Sequence, residues 1–150
     1  MVNLENKETL LLGAVYRSPN STDINTRNLF TLLDAFSEVH CNYKLIVRDF
    51  NFPNINWTDW TTPHGVIHRE FLFLECLRDN FLYQLVDDPT RYRHGQALNV
   101  LNLVIVDNPE FIKKVNLCSN LGASDHVALE ILLDSTITKT EETVQKKKLL

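Results

Sequence analysis

The chain alternates uninterrupted apolar runs with segments whose apolar residues recur every three or four positions. That order restricts the fold more than any single motif does. Thr9 to Tyr16 reads TLLLGAVY, which suits a strand buried on both faces. Arg17 to Thr22 breaks the run with turn residues, and Thr22 or Asp23 can cap the next element. From Ile24 to Val39, Leu29, Leu32, Leu33, Phe36 and Val39 fall at helical spacing, with Asn28, Asp34 and Glu38 on the other side. This predicts an amphipathic helix. Lys44 to Val47 is then a short strand. Strand, helix and strand in this order predict a layered α/β fold.

The same pattern continues along the chain. Pro53 to Pro63 is a loop whose Trp57 and Trp60 read as anchors on the core rather than as surface-binding aromatics. His68 to Asn80 is a second helix, with Phe71, Leu74, Cys76 and Leu77 near one side. Leu82 to Val86 is a short strand, and Val100 to Val106 is a buried strand interrupted by one amide, Asn102. Val115 to Leu117 and His126 to Leu133 complete the strands. The expected organisation is a polar leader over residues 1–8, a domain over 9–133 and a solvated tail over 134–150.

Composition narrows the function classes. At 150 residues the chain is one domain or part of one, and its 44% hydrophobic content is enough for a sizeable core. A net charge of −4 argues against holding nucleic acid through a global positive field. A local cationic cleft stays open. No run approaches the ~18 apolar residues of a membrane span, and the start has no signal-peptide pattern. Cys41, Cys76 and Cys118 are widely spaced without a CxxC. They fit a reducing compartment and read as small buried hydrophobes. The expectation is an intracellular protein, nuclear or cytoplasmic, with no membrane partner.

Two polar motifs carry the chemistry. Arg48-Asp49-Phe50-Asn51 closes one apolar run, and Ser124-Asp125-His126 opens another. Together they supply two carboxylates, a carboxamide and an imidazole. That set suits metal-assisted attack on a phosphodiester, whose charge repels nucleophiles and whose leaving alkoxide is poor. Asp49 can orient or deprotonate a water, and Asn51 can donate to a phosphate oxygen. Asp125 can hold Mg²⁺ through hard oxygen ligands, and His126 can bond the phosphate or share the proton traffic. Arg17, Arg91 and Arg93 are candidate contacts to a phosphate backbone. Taken alone each motif is a weak signal, because DxN is common in turns and Asp-His pairs are common as caps.

Their order is more specific. LLLGAVYRSPNST, then LIVRDFNFPNINW, then ECLRDNFLYQLVDDPTR, then VLNLVIVDN, then LGASDHVALEILL resembles the C-terminal part of the endonuclease/exonuclease/phosphatase superfamily. More narrowly, it resembles the apurinic-type endonuclease domain of jockey-like non-LTR retrotransposons. The resemblance implies an α/β (α+β) four-layer sandwich of two β-sheets flanked by helices, here partial, with the N-terminal part of the family fold missing. It also implies Mg²⁺ as cofactor, DNA as partner and a polyprotein that continues into a reverse transcriptase. By the same resemblance Tyr16 lies near the scissile phosphate. Asp49 and Asn51 match the family's GDxN motif. Asp125 and His126 match its SDH motif, with Asp125 near the metal.

The chain departs from the family pattern in three places. Nothing before Thr9 matches the early Asn and Glu that bind the family's metal. Asn102 stands where the family strand has an Asp that pairs with the SDH histidine, and an amide cannot neutralise an imidazolium. Arg48 replaces the glycine of GDxN; by strand alternation it points with Ile46, where a packed face would make the guanidinium destabilising and an open one would leave it harmless, with destabilisation the expectation. The expectation is a retroelement-derived endonuclease fragment with little or no activity alone. The alternatives are a non-enzymatic interaction module, self-associating through an uncovered sheet, and a decayed open reading frame.

Overall fold

Parallel pairing of two apolar strands across a helix organises the chain. The computed structural model describes residues 1–91, 95, 98–119 and 127–136. In chain order the elements are β1 (Val2–Asn3), β2 (Thr9–Ala14), α1 (Asp23–Glu38), β3 (Tyr43–Asp49), α2 (Arg69–Asp79), β4 (Tyr83–Gln84), β5 (Asn102–Val106), β6 (Ile112–Cys118) and β7 (Ala128–Leu133). The first five strands form one sheet in the order β1-β2-β3-β5-β4, and β6 pairs with β7 in a separate two-stranded sheet. Among the described residues only β2 and β3 run parallel, joined by the α1 crossover. The expected mixed α/β sandwich with two sheets is therefore present, with the helices on one face of the larger sheet among the described residues.

Alternation along the central strands divides the core in two. Leu103 and Ile105 of β5 join Ile46 of β3 in a cluster with Leu29 and Leu33 of α1 and Phe73, Leu74 and Leu77 of α2. Val104 and Val106 join Leu45 in a second cluster with Leu10, Val86 and Phe111, against Val115, Leu117, Leu129 and Ile131 of the hairpin. The result is a helix layer, a five-stranded sheet and a two-stranded sheet. Thr22 begins α1 by accepting a hydrogen bond from Asn25 N through its hydroxyl, as an N-cap does. A Cβ on Gly13 would stand 3.1 Å from the Phe36 ring, so the glycine lets α1 lie close on β2. No helix among the described residues is long and apolar enough to cross a membrane.

Several expectations are corrected. The segment read as a polar leader over residues 1–8 is joined to the larger sheet: Val2 and Asn3 pair antiparallel with Leu10 and Thr9. Leu4 is buried in the hairpin-side cluster, and that burial draws the segment onto the sheet. Strand β2 is not buried on both faces. Leu10 is covered, but Leu12 two residues on is 51% exposed; the short β1 pairs only with Leu10 and Thr9, so β2 is an open edge from there on. The strand around Leu117 is longer than its apolar centre, running over Ile112–Cys118; pairing with β7 carries it through Lys113 and Lys114, which lack apolar cover. Cys118 is exposed and Cys41 half-buried, and only Cys76 is a buried cysteine. Trp57 anchors its loop as expected, 5% exposed and edge-on to both Trp60 and Phe73. The tail beyond residue 136 lies outside the described residues.

Candidate active site at the strand ends

The pairing directions bring three chain ends to one edge of the larger sheet. Because β2 is parallel to β3 and β5 antiparallel, the ends of β2 and β3 meet the beginning of β5. Backbone bonds extend the ladders past the strands: Val15 N to Val47 O, Arg17 N to Asp49 O and Phe50 N to Leu101 O, all 2.9–3.0 Å. Tyr16, Arg17, Asp49, Asn51 and Asn102 therefore share this edge. Asp49 and Asn102 are direct cross-strand partners, so their side chains rise side by side from the face that carries Leu45, Val47 and Val104.

The turn after Asp49 is built by side chains. The Asp49 carboxylate accepts from Asn51 N at 3.1 Å, closing an Asx-type turn. Asn51 has φ +49°, the left-handed region that asparagine tolerates better than most residues. Its Nδ2 donates to Arg17 O at 2.7 Å, and Arg17 Nη1 returns a bond to Asn51 O at 2.9 Å. Arg17 Nη2 donates to Thr26 Oγ1 at 3.2 Å, and its guanidinium lies 4.3 Å from the centre of the Phe52 ring. This reciprocal clasp ties the end of β2 to the end of β3.

The clasp changes what two site residues can do. Arg17, expected against a phosphate backbone, is only 4% exposed; its guanidinium is engaged by a carbonyl, a hydroxyl and an aromatic face inside the fold. Burial, and then repulsion from Arg69, lowers its pKa from the ordinary value, while attraction to Glu70 works the other way. Asn51 is likewise buried, and its amide donor serves Arg17 O. Tyr16 faces the other way: it is 69% exposed and lines a groove of about 520 Å³ with Ser18, Asn25 and Asn28 of the α1 side.

Arg48 takes the open alternative rather than the expected packed one. Its side chain is exposed, so no guanidinium is buried. The difficulty lies in the backbone, where φ is +104°, a region open to glycine and costly for residues with a Cβ. A glycine at this position would ease the chain's path into the turn, which is a matter of backbone and not of side-chain packing.

Asn102 is held from behind. Thr90 Oγ1 accepts from both Leu101 N and Asn102 N at 2.9 Å, and Thr90 is fully buried. Thr90 O in turn accepts from Val127 N at 3.0 Å. Val127, which comes directly after Ser124-Asp125-His126 in the chain, is thus fastened to the residue that holds Asn102. Asp125, His126 and Arg93 lie outside the described residues. Arg91 is half-buried and bridges to Asn99 across the loop.

Sequence reasoning passed over Thr90, which no motif marks in the run Asp-Pro-Thr-Arg. It also passed over a second cluster, His64, His68 and Glu70, at the start of α2. That cluster had a legible signal: two histidines four apart, then a carboxylate two further on. At the strand ends themselves, a half-buried carboxylate, a carboxamide beside it and an open phenol can orient water and polar oxygens. Residues 10–130 match the family model described as endonuclease-reverse transcriptase. No curated protein matches the chain.

Proposed function

Because the chain belongs to the endonuclease-reverse transcriptase family, we propose that its ancestral reaction is Mg²⁺-dependent hydrolysis of a DNA phosphodiester at the strand ends, and that this chain performs it weakly or not at all. The domain is of retroelement origin and its family points to a nucleic acid substrate. The finer reading adds that the domain served a polyprotein with a reverse transcriptase, nicking DNA to prime synthesis.

The observation that carries this reading is the pairing of Asp49 with Asn102 across the ladder. Carboxylate and carboxamide oxygens are hard donors, and Mg²⁺ keeps several waters and needs few protein ligands, so the edge suits that ion. Asp125 would hold it, with Asp49 beside it. When bound, the ion would offset charge on the phosphate. Asp49 would orient and deprotonate the attacking water. Tyr16, open on the groove, would lie along the substrate. His126 would donate to the phosphate. Asn51 would act mainly as a positioning residue, because its amide fastens Arg17 O and shapes the turn that presents Asp49.

The same pairing supports weak activity. In this family's pattern a carboxylate at position 102 would steady the imidazolium of His126, and the amide of Asn102 cannot do so. Arg48 adds backbone strain immediately before Asp49, where an ångström-scale displacement can cost orders of magnitude in rate. A nicking assay on supercoiled plasmid with Mg²⁺ tests both halves. The expected result is little nicking by the natural chain and a gain of about tenfold or more in Asn102→Asp, abolished by Asp49→Ala. Robust nicking by the natural chain that vanishes in Asp49→Ala would overturn the claim of weak activity. Nicking indifferent to Asp49 would overturn the site.

A further inference from the structure

The loop after Asn51 ends in a group of side chains that the nuclease reading does not use. His64 and His68 are half-buried, Glu70 is fully buried, and one ligand atom from each lies within 4.8 Å of the other two. The imidazole rings lie against one another, with centroids 4.0 Å apart. Glu70 sits in the first turn of α2, and His68 is the N-cap residue. We propose that His64, His68 and Glu70 form a binding site for a divalent transition metal of the zinc class.

The donor set selects the ion. Two imidazole nitrogens and one carboxylate oxygen suit Zn²⁺ and its neighbours, whereas Mg²⁺ and Ca²⁺ favour oxygen throughout. Three protein ligands leave a fourth tetrahedral position for water, and the partial exposure of both histidines gives that position access to solvent. Ligand bonds of about 2.0–2.2 Å place donors roughly 3.5 Å apart, so the wider separations in the cluster close a little while the touching pair His68 Nδ1 and Glu70 Oε2 parts to admit the ion.

The state of Glu70 points to a ligand independently. Its side chain has no exposed surface. Oε1 is served, loosely, by Asn54 Nδ2 at 3.5 Å and by Arg69 Nε at 3.7 Å. Oε2 is turned to His68 Nδ1, and the two atoms touch, yet each is buried without a satisfactory hydrogen bond. A buried carboxylate oxygen left in that condition is costly. A metal ion shared by Oε2 and the two imidazoles would satisfy it. The ion would also fasten the end of the loop that starts beside Asn51 to the helix beneath it.

The experiment is metal retention by the whole chain. The protein is equilibrated with Zn²⁺, desalted and measured for bound zinc by elemental analysis, and Co²⁺ is added in parallel to read tetrahedral coordination from visible absorption. Stoichiometric zinc, undisturbed by excess Mg²⁺, is expected, together with a rise in thermal midpoint on adding zinc. His64→Ala, a change in the loop ahead of α2, should keep the circular dichroism of the natural chain and lose both retention and the thermal shift. His68→Ala should lose retention as well. Absence of bound zinc in the folded natural chain overturns the site, as does retention undiminished in folded His64→Ala. Neither result bears on nicking at Asp49, so the two readings fail separately.

Discussion

The two faces of the larger sheet are covered by different chemistry. Toward the helices the core is aromatic and interlocked. Phe73 is fully buried, stacks on Phe52 at 4.3 Å between ring centres, and meets Phe50, Trp57 and Phe30 within 6.3 Å. Toward the hairpin the core is mostly aliphatic, with Tyr43 stacked on Phe111 as its aromatic pair. The hairpin side chains Val115, Leu117, Leu129 and Ile131 are only partly buried. Asp49 and Asn102 rise from this second face at its polar end. The difference teaches that the helix side gives the domain its rigidity, while the hairpin side leaves room for polar groups and supports them through backbone anchors such as Thr90.

The largest expected effect comes from breaking the aromatic face. Phe73→Ala removes the ring that joins two helices' worth of packing to the turn residues Phe50 and Phe52, and should cost about 4 kcal/mol. Chemical denaturation would measure it. A loss below about 1 kcal/mol would mean that the helix face is not the rigid one. On the other face Thr90→Val keeps the volume but strips the acceptor from Leu101 N and Asn102 N. Leaving one buried and one part-buried donor unmet should cost about 2–3 kcal/mol. Hydrogen exchange should show the loss centred on residues 101 and 102, with α1 and α2 unchanged.

A smaller effect, of opposite sign, is expected at the boundary of the two faces. Arg48 is exposed and strained at φ +104°. Arg48→Gly relieves roughly 1–3 kcal/mol of backbone strain and gives back up to about 1 kcal/mol through the looser unfolded chain. A net gain of about 1 kcal/mol should appear as a higher denaturation midpoint. An unchanged or lower midpoint would show that Arg48 makes a compensating contact.

Much of this architecture was legible in the sequence, and the parts that were not share a cause. Helical spacing from Leu29 to Phe36 and the apolar run ending at Val106 identify their elements, because burial of one helix stripe or of a whole strand leaves a periodic record. The order of the motifs identified the family. What periodicity cannot record is local backbone and long-range polar bonding. The clasp of Arg17 on Asn51 spans 34 positions, and Thr90 reaches Leu101 and Asn102 from a loop with no pattern. Arg48 was weighed by its charge, whereas its dihedral angle sets its cost. The short segment at Val2–Asn3 escaped because two paired residues carry no period at all.

The smallest perturbation distinguishes the faces without altering the fold. Cys76 lies on α2 at the aromatic side and Cys118 at the exposed end of β6. Burial, followed by the neighbouring charge of Asp34, pushes the Cys76 thiol up from 9.0 to about 12. Thiolate is the reactive form, so Cys76, buried and held protonated, should be alkylated only on unfolding, whereas Cys118 is exposed to the reagent in the folded chain. The same shift gives the linkage its sign. The folded chain holds the Cys76 proton after the unfolded chain has lost it, so stability is intact below pH 9.0 and falls as pH rises from 9.0 towards about 12. Mass-spectrometric mapping of modified cysteines over time separates the two sites. Comparable rates at Cys76 and Cys118 in the folded protein would mean that the helix face opens as freely as the hairpin end, and the contrast between the faces would collapse.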